Sequence, residues 1–284
     1  MNPYRAWVAG FAAALAHGAA VVPAGTSVPL GMGRKALVFA PHPDDEVIIG
    51  GLPLRLRREA GFAVTVVAVT LGSAVGRRAA RWGEQAAACA ALGFGLVTPD
   101  RAGLDGVTLA GRAAGRAQWG AAVAKVAALI EAEGPAVVFV PHEGDWHQTH
   151  IGTHLLVTEA MRLVPGLDVA VVETEFWGAM GAPNLMVESS VDDVAALVEA
   201  LALHVGEVAR NPYHLRLPAW MMDNVRRGAE LVGGQGGVAP AMTFATLYRV
   251  RRWREGVLQE ARAGGAVLEA GVPASVMEAS LGLA

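Results

Sequence analysis

Residues 35–46 read KALVFAPHPDDE, and this stretch indicates both the type of fold and the location of a site. The first six residues form a short apolar run that predicts a buried β-strand. Two adjacent carboxylates, Asp44 and Asp45, follow the strand, and their repulsion is costly unless a cation lies between them and His42. Because ligands bind at the carboxyl ends of strands in open α/β sheets, this stretch predicts a metal site.

Short apolar runs alternate with longer helical periods along the 284-residue chain, a pattern typical of βαβ units and a parallel sheet. We therefore predict an α/β fold, Rossmann-like, with a mostly parallel β-sheet sandwiched by helices. The predicted strands span Lys35–Ala40, Ala63–Thr70, Ala136–Pro141, Val169–Phe176 and Leu185–Glu188. The predicted helices span Val47–Glu59, Arg77–Leu92, Gln118–Ala132, Thr149–Leu163 and Val191–His204.

Composition excludes some classes of protein. Apolar residues make up 53% of the chain, which is enough for a sizeable core, and the formal net charge is -3. A mildly acidic chain is a poor nucleic-acid binder, so we interpret the basic residues 248–254 as a solvated face and predict no nucleic-acid partner. Cys89 is the only cysteine, which rules out an intrachain disulfide and fits a reducing, cytoplasmic location.

The first thirty residues differ from the rest of the chain. Trp7, Phe11 and Leu15 have helical spacing, so we predict an N-terminal helical extension over residues 1–30 and a single domain over residues 31–284. The extension also resembles a weak signal peptide, which leaves export open. We find no apolar run long enough to predict an integral membrane segment.

A second polar cluster follows another apolar strand, where residues 141–150 read PHEGDWHQTH. This segment and His154 together contain four of the eight histidines of the chain. His150 and His154 lie one helical turn apart, so they can face the same side. Catalytic zinc sites use three protein ligands, and His42, Asp45 and one of these histidines would complete such a set.

Each of these residues also has an ordinary structural explanation. Asp44 alone could cap the helix that starts near Val47, and Glu46 could favour the same helix N-terminus. A single histidine is more often hydrogen-bonded than metal-bound. These explanations account for each residue singly, but not for the gathering of acids and histidines at two strand ends, so we favour the metal site.

The sequence is similar to that of the PIG-L/LmbE-like zinc-dependent de-N-acetylases. The family motif (A/P)-H-P-D-D-E matches residues 41–46 throughout, and residues 147–150, HQTH, keep both histidines of the second family motif, H-P-D-H. The helix with Arg81-x-x-Glu84 and Leu92-Gly93 also resembles the family pattern. The likeness spans residues 35–160 and implies a hydrolase that removes an acetyl group from an N-acetylated amino sugar or glycoconjugate.

The resemblance implies a role for each matching residue. His42, Asp45 and His150 would bind Zn²⁺, although another divalent transition metal fits the same ligands. Asp44 would be the general base. His147 would polarise the amide and stabilise the oxyanion.

Two residues of the likeness leave alternatives open. Arg81 would contact the substrate, or it would form an ion pair with Glu84 on the same helix. Many family members have Asp where this chain has Thr149, and that Asp orients the catalytic histidine. Here Thr149 itself or Asp145 would orient His147.

Other functions remain under consideration. A zinc amidohydrolase that acts on a different N-acyl substrate would use the same residues, and a catalytically weak member would bind sugar or lipid headgroups without turnover. The expected partner is a small N-acetylated molecule, and homo-oligomerisation is left open. The aromatic- and Met-rich residues 211–222 are either core packing or a wall of the substrate pocket.

Overall fold

The computed structural model describes residues 2–19 and 21–283. These residues form eleven α-helices. They are α1 (Arg5–Gly18), α2 (Asp45–Ile48), α3 (Gly51–Glu59), α4 (Arg78–Leu92), α5 (Leu109–Ala114), α6 (Arg116–Glu133), α7 (Gln148–Arg162), α8 (Val191–Ala202), α9 (Val205–Val208), α10 (Tyr213–Leu231) and α11 (Ala274–Ser280).

The same residues form one nine-stranded sheet. The strands are β1 (Lys35–Ala40), β2 (Ala63–Ala68), β3 (Gly95–Val97), β4 (Val137–Pro141), β5 (Val169–Thr174), β6 (Leu185–Glu188), β7 (Ala245–Arg254), β8 (Val257–Glu260) and β9 (Ala266–Leu268). Their order is β3-β2-β1-β4-β5-β7-β6-β9, and β8 pairs with β7. The five neighbouring strands β3, β2, β1, β4 and β5 are parallel to one another. Strand β7 is antiparallel to β5, β6 and β8. The predicted mostly parallel α/β fold is confirmed.

An apolar core lies on each face of this sheet, because successive apolar residues of a central strand point to opposite faces. On β1, Ala36 and Val38 face a core formed with α3, α4, α8 and α10. Leu37 and Phe39 face the opposite core, which α6 and α7 cover. All four side chains are buried, as expected for a parallel strand between two helical layers.

Strands β1 and β4 lie side by side at the point where the chain changes direction across the sheet. From β1 the chain continues to β2 and β3 on one side, and it then returns to form β4 and β5 on the other side. Pairing of Ala36 with Val137 brings the carboxyl ends of β1 and β4 together. This arrangement opens a crevice between the loops that follow the two strands, which is where α/β folds bind ligands.

The helix predicted over Val47–Glu59 is two helices, α2 and α3, with a break at Ile49 and Gly50. Close packing explains the break, because a Cβ on Gly50 would lie 2.7 Å from Leu197 Cδ2. The Tyr248 hydroxyl of β7 accepts a hydrogen bond from Leu52 N (2.9 Å) and donates one to Ile49 O (2.5 Å). A side chain from a distant strand thus satisfies the backbone at the break.

The interpretation of residues 248–254 as a solvated face is wrong, because they form most of β7. Tyr248 and Trp253 are buried on this strand. The arginines between and after them form ion pairs, for example Arg251 with Glu173 and Arg252 with Asp168. Carboxylates of this chain therefore pair with the basic side chains of β7.

The N-terminal segment contains α1, on which no described residue is buried. Closer to the first strand, the chain contacts the rest of the protein: Val28 N donates to Ala90 O (2.8 Å) and Ala24 N donates to Glu199 (2.9 Å). The boundary at residue 30 stays a prediction. Among the described residues, no helix combines the length and apolar character that crossing a bilayer requires.

Candidate metal centre and active-site cleft

The loop after β1 brings His42 and Asp45 together within one turn of chain. Asp45 Oδ2 accepts a hydrogen bond from His42 N (2.9 Å) and lies 3.3 Å from His42 Nδ1. Asp45 is the first residue of α2 and is buried. Its carboxylate is therefore fixed beside the imidazole by the same turn that ends the strand.

The loop after β4 supplies two more imidazoles at the start of α7. His147 is the N-cap of α7, and its Nδ1 accepts a hydrogen bond from Thr149 N (3.2 Å). His150 lies in the first turn, with its Nε2 3.2 Å from Asp45 Oδ2. Ring nitrogens of His42, His147 and His150 lie within 4.8 Å of one another.

The donor set at this point suits a cation. His150 Nε2 is buried and has no hydrogen-bond partner within the described part of the chain. Burial alone would lower the pKa of His150, but Asp45 and Asp145 outweigh burial and raise the pKa to about 10. Burial would likewise raise the pKa of Asp45, but His150 and His42 hold it well below its usual range. Two carboxylates beside one imidazole form a negative environment that attracts a cation, and His150 would bind a metal ion in its deprotonated form.

Asp44 has a backbone conformation that L-residues rarely adopt, with φ at 117°. It precedes α2, but within the described residues its side chain makes no capping hydrogen bond, so the capping interpretation is wrong. Burial, followed by the charges of Asp45 and Glu46, raises the pKa of Asp44 well above its usual value. A strained, buried carboxyl group with a raised pKa is typical of functional sites.

Glu46 belongs to a buried network that the sequence analysis missed. One carboxylate oxygen accepts hydrogen bonds from Asp44 N (3.1 Å) and Gln85 Nε2 (3.0 Å), and the other lies 2.9 Å from His204 Nε2. The side chains of Glu46 and His204 are completely buried. The network links the loop after β1 to α4 and to the end of α8, and it supports the Asp44 backbone.

Asp145 contacts the backbone of His147 and the ring of His150, but not the ring of His147. Its Oδ1 accepts a hydrogen bond from His147 N (2.7 Å), and its Oδ2 lies 3.4 Å from His150 Nδ1. The His147 ring is held by the Thr149 backbone amide rather than by either of the two predicted side chains. Since His147 Nδ1 accepts this bond, its neutral form carries the proton on Nε2. Burial and the neighbouring His42 and His150 lower the pKa of His147.

The family comparison matches this part of the chain. Residues 37–161 match the sequence profile described as PIG-L, GlcNAc-PI de-N-acetylase. This segment is therefore similar to the PIG-L family over 125 of the 284 residues of the chain. The match runs from β1 to α7 and includes all six predicted site residues. No curated protein matches the chain significantly.

Solved structures share the fold of this chain at low sequence identity. A conserved protein from Thermus thermophilus is 19% identical, with a TM-score of 0.57 over 76% of this chain and 94% of that chain. N,N'-diacetylchitobiose deacetylase from Pyrococcus horikoshii is 17% identical, with a TM-score of 0.54 over 76% and 83%. The 4-carboxy-2-hydroxymuconate hydratase GalB from Pseudomonas putida is 18% identical, with a TM-score of 0.56 over 77% and 96%. Since these proteins include a deacetylase and a hydratase, the fold alone does not determine the reaction.

Part of the candidate metal site opens into a cleft of about 400 Å³, although His150 does not line it. His42, Asp44, Asp45 and His147 line one end of the cleft. The remaining wall contains residues distant in sequence: Arg78, Arg81, Asp105, Trp177, Glu207, Arg210 and Tyr213. The cleft is thus polar, with an aromatic side.

Arg81 lies in this cleft, as a role in substrate binding requires. Its Nη2 donates to Pro43 O (3.1 Å) and its Nε lies 3.6 Å from Glu207 Oε1. Among the described ion pairs, Arg81 contacts Glu207 rather than Glu84, so the alternative pairing is wrong. Contact with a substrate stays a prediction.

Residues 211–222 contribute to both the core and the cleft. Most of them form the first half of α10, where Leu217 and Met221 are buried. Tyr213, at the start of the helix, lines the cleft. The centroids of the Tyr213 and Trp177 rings are 5.6 Å apart, and Trp177 is 42% exposed. No sequence signal pointed to Trp177 or Glu207, because neither lies in a motif.

Proposed function

We propose that this protein is a metal-dependent N-deacetylase that removes an acetyl group from an N-acetylated amino sugar or glycoconjugate. The observation that carries this proposal is the position of Asp44 and His147, which line the same end of the cleft as His42 and Asp45. A base and a proton donor beside a cluster of metal ligands are the groups that amide hydrolysis needs. The family description, a GlcNAc-PI de-N-acetylase, supports the same reaction.

We assign His42, Asp45 and His150 as the ligands of Zn²⁺ or another divalent transition metal. Two imidazoles and one carboxylate are a common ligand set for catalytic zinc. The Asp45 carboxylate lies within 3.3 Å of a ring nitrogen of both histidines, which supports its inclusion. When bound, such a metal lowers the pKa of water and polarises a carbonyl group.

Asp44 acts as the base. Its carboxylate accepts a proton from the attacking water, whose oxygen forms a bond to the amide carbon. Asp44 then gives this proton to the amide nitrogen as the carbon–nitrogen bond breaks, so that the products are acetate and a primary amine. Burial and the neighbouring carboxylates Asp45 and Glu46 raise the pKa of Asp44, which makes the carboxylate a stronger base.

His147 stabilises the negative oxygen that forms from the carbonyl. The hydrogen bond from Thr149 N to Nδ1 leaves the Nε2 proton free to be donated. Arg81 contacts the non-reacting part of the substrate from the same cleft. The partner is a small N-acetylated molecule.

An amine-release assay on protein of known metal content tests the proposal. Acetylated amino sugars, N-acyl amino acids and acetylated glycopeptides are compared as substrates before and after metal removal with a chelator. We expect release of amine from the acetylated sugars, loss of activity on chelation and recovery with zinc. Selective turnover of N-acyl amino acids would favour another amidohydrolase, and sugar binding without turnover would identify a non-catalytic member.

The variant Asp44→Asn tests the assigned base. We expect kcat to fall by about 10²–10⁴-fold, because general base catalysis is lost, while the metal content is unchanged. His150→Ala should instead lower the metal content. If Asp44→Asn retained nearly normal turnover, the assignment of the base would be wrong.

A further inference from the structure

Glu207 lies at the wall of the cleft with three arginines around it. Arg77 Nη2 is 3.3 Å from Glu207 Oε1, and Arg81 Nε is 3.6 Å from the same oxygen. Arg210 donates a hydrogen bond to the other oxygen. The Glu207 side chain is buried, so these four charged groups form a fixed cluster.

Positive charge exceeds negative charge in this cluster. Other carboxylates lie nearby: Asp105 pairs with Arg78, Glu84 accepts a hydrogen bond from Gly206 N (3.0 Å), and Asp44 lines the same cleft. Within the ion pairs of Glu207, one carboxylate faces three guanidinium groups, each of which has five N–H donors. Such clusters attract anions, because guanidinium groups bind phosphate and carboxylate oxygens in pairs.

The arginines have donors to offer on the side of the cleft. Arg81 lines the cleft; its Nε faces Glu207 and its Nη2 donates to Pro43 O, which leaves Nη1 without a hydrogen bond to any described residue. Arg210 lines the cleft, and its side chain is 65% exposed although it is paired with Glu207. The cluster is thus accessible to a ligand in the same cleft that contains Asp44 and His147.

We propose that Arg81 and Arg210, supported by Arg77 and Glu207, form an anion subsite for the substrate. The substrate would then be an N-acetylated amine with a phosphate, sulfate or carboxylate group on the part that is released as the amine. This inference rests on the proposed function and specifies its substrate class. Tyr213 and Trp177 on the same wall would contact the ring between the anionic group and the acetyl group.

Kinetics with matched substrates test the subsite. N-acetylglucosamine is compared with its 1-phosphate, its 6-phosphate, its 6-sulfate and N-acetylmuramic acid, which bears a carboxylate. We expect at least one anionic substrate to have a kcat/KM about tenfold or more above that of the neutral sugar, since a hydrogen bond to a charged group contributes at least that factor. Which of them is preferred identifies the anionic group and its position.

Arg210→Met and Arg226→Met form a matched pair of variants. Both arginines are mostly exposed and pair with a carboxylate three residues earlier, but only Arg210 lines the cleft. We expect Arg210→Met to reduce the kcat/KM ratio of anionic to neutral substrate about tenfold, through KM, and Arg226→Met to keep the wild-type ratio. Equal ratios in the two variants, or no preference in the wild type, would overturn the proposal while leaving the deacetylase function intact.

A binding measurement separates this proposal from the proposed function. Inorganic phosphate is titrated into chelator-treated wild-type protein and into both variants, and binding is followed by isothermal titration calorimetry. We expect the wild type and Arg226→Met to bind phosphate, and Arg210→Met to bind it about tenfold more weakly. If phosphate bound with the same affinity to all three proteins, or did not bind, the anion subsite would be rejected whether or not any acetylated compound is hydrolysed.

Discussion

At the scale of single residues, the position of the proposed base Asp44 depends on hydrogen bonds made by neighbouring side chains. Asp44 adopts φ 117°, and the buried carboxylate of Glu46 holds its backbone amide. Gln85 on α4 and His204, just after α8, hold that carboxylate by hydrogen bonds. Strain at the proposed base is therefore compensated by a network of buried hydrogen bonds, as residues in unfavourable conformations require.

Asp145→Asn tests the support of a proposed metal ligand. The asparagine oxygen can still accept the hydrogen bond from His147 N, but the negative charge beside His150 Nδ1 is lost. We expect the dissociation constant of the metal to rise about 10–100-fold, the usual effect of removing a group that orients a ligand. Competition with a coloured chelator measures it. Asp223→Asn, at an exposed ion pair on α10, is the control, and an unchanged dissociation constant for Asp145→Asn would contradict the assignment.

At the scale of secondary structure elements, β7 has two functions in the fold. It joins β5 to β6 in the sheet, and its Tyr248 bridges the break between α2 and α3. The break ends α2, which begins with Asp45 just after β1, and α3 starts at Gly51. A strand near the C-terminus thus stabilises the segment that carries the first motif.

Tyr248→Phe tests this bridge. The variant keeps the ring but leaves Leu52 N and Ile49 O without the hydroxyl partner in a buried position. We expect the free energy of unfolding to fall by about 1–3 kcal/mol, the cost of an unsatisfied buried polar group. Urea denaturation measures the change. Tyr4→Phe, at a side chain that is 71% exposed, should change stability little, and equal effects of the two variants would refute the bridge.

At the scale of the whole molecule, the site exists because two parallel strands end side by side. The loops after β1 and β4 come from segments far apart in the chain, and the sheet order brings them together. A metal bound between them would link the two halves of the parallel sheet. Its binding should therefore stabilise the folded state as a whole.

Metal removal tests this coupling. At a metal concentration about a hundred times the dissociation constant, binding adds about 2.7 kcal/mol of stability, so a chelator should lower Tm by roughly 5–10 °C. Differential scanning calorimetry with and without chelator gives the shift. His150→Ala should show almost none of it, and a Tm independent of metal in the wild type would argue against a metal in this site.

Truncation tests the predicted N-terminal extension. Since α1 has no buried residue, we expect removal of residues 1–19 to leave Tm within about 1 °C of the full chain and activity within experimental error. Removal of residues 1–30 should lower Tm, because the hydrogen bonds of Ala24 and Val28 to the domain are lost. A large loss of stability from the shorter truncation would place α1 within the domain.

The sequence by itself determined the alternation of strands and helices and the two motifs at strand ends, from which we propose the chemistry. These depend on residues close together in the chain: the period of apolar residues and the clusters of His42 with Asp45 and of His147 with His150. Local spacing fixes such features because each motif lies within one loop and the first turn of one helix.

Only the tertiary structure decided which distant groups complete the site. His204 supports the first motif through Glu46, and Asp145 faces His150. Glu207 forms ion pairs with arginines from two segments of the chain. The arginines of residues 248–254 lie on strand β7 of the sheet, although their charges predicted a solvated face. These contacts depend on sheet order and helix packing, which are set by the burial of the whole core rather than by the spacing of neighbouring residues.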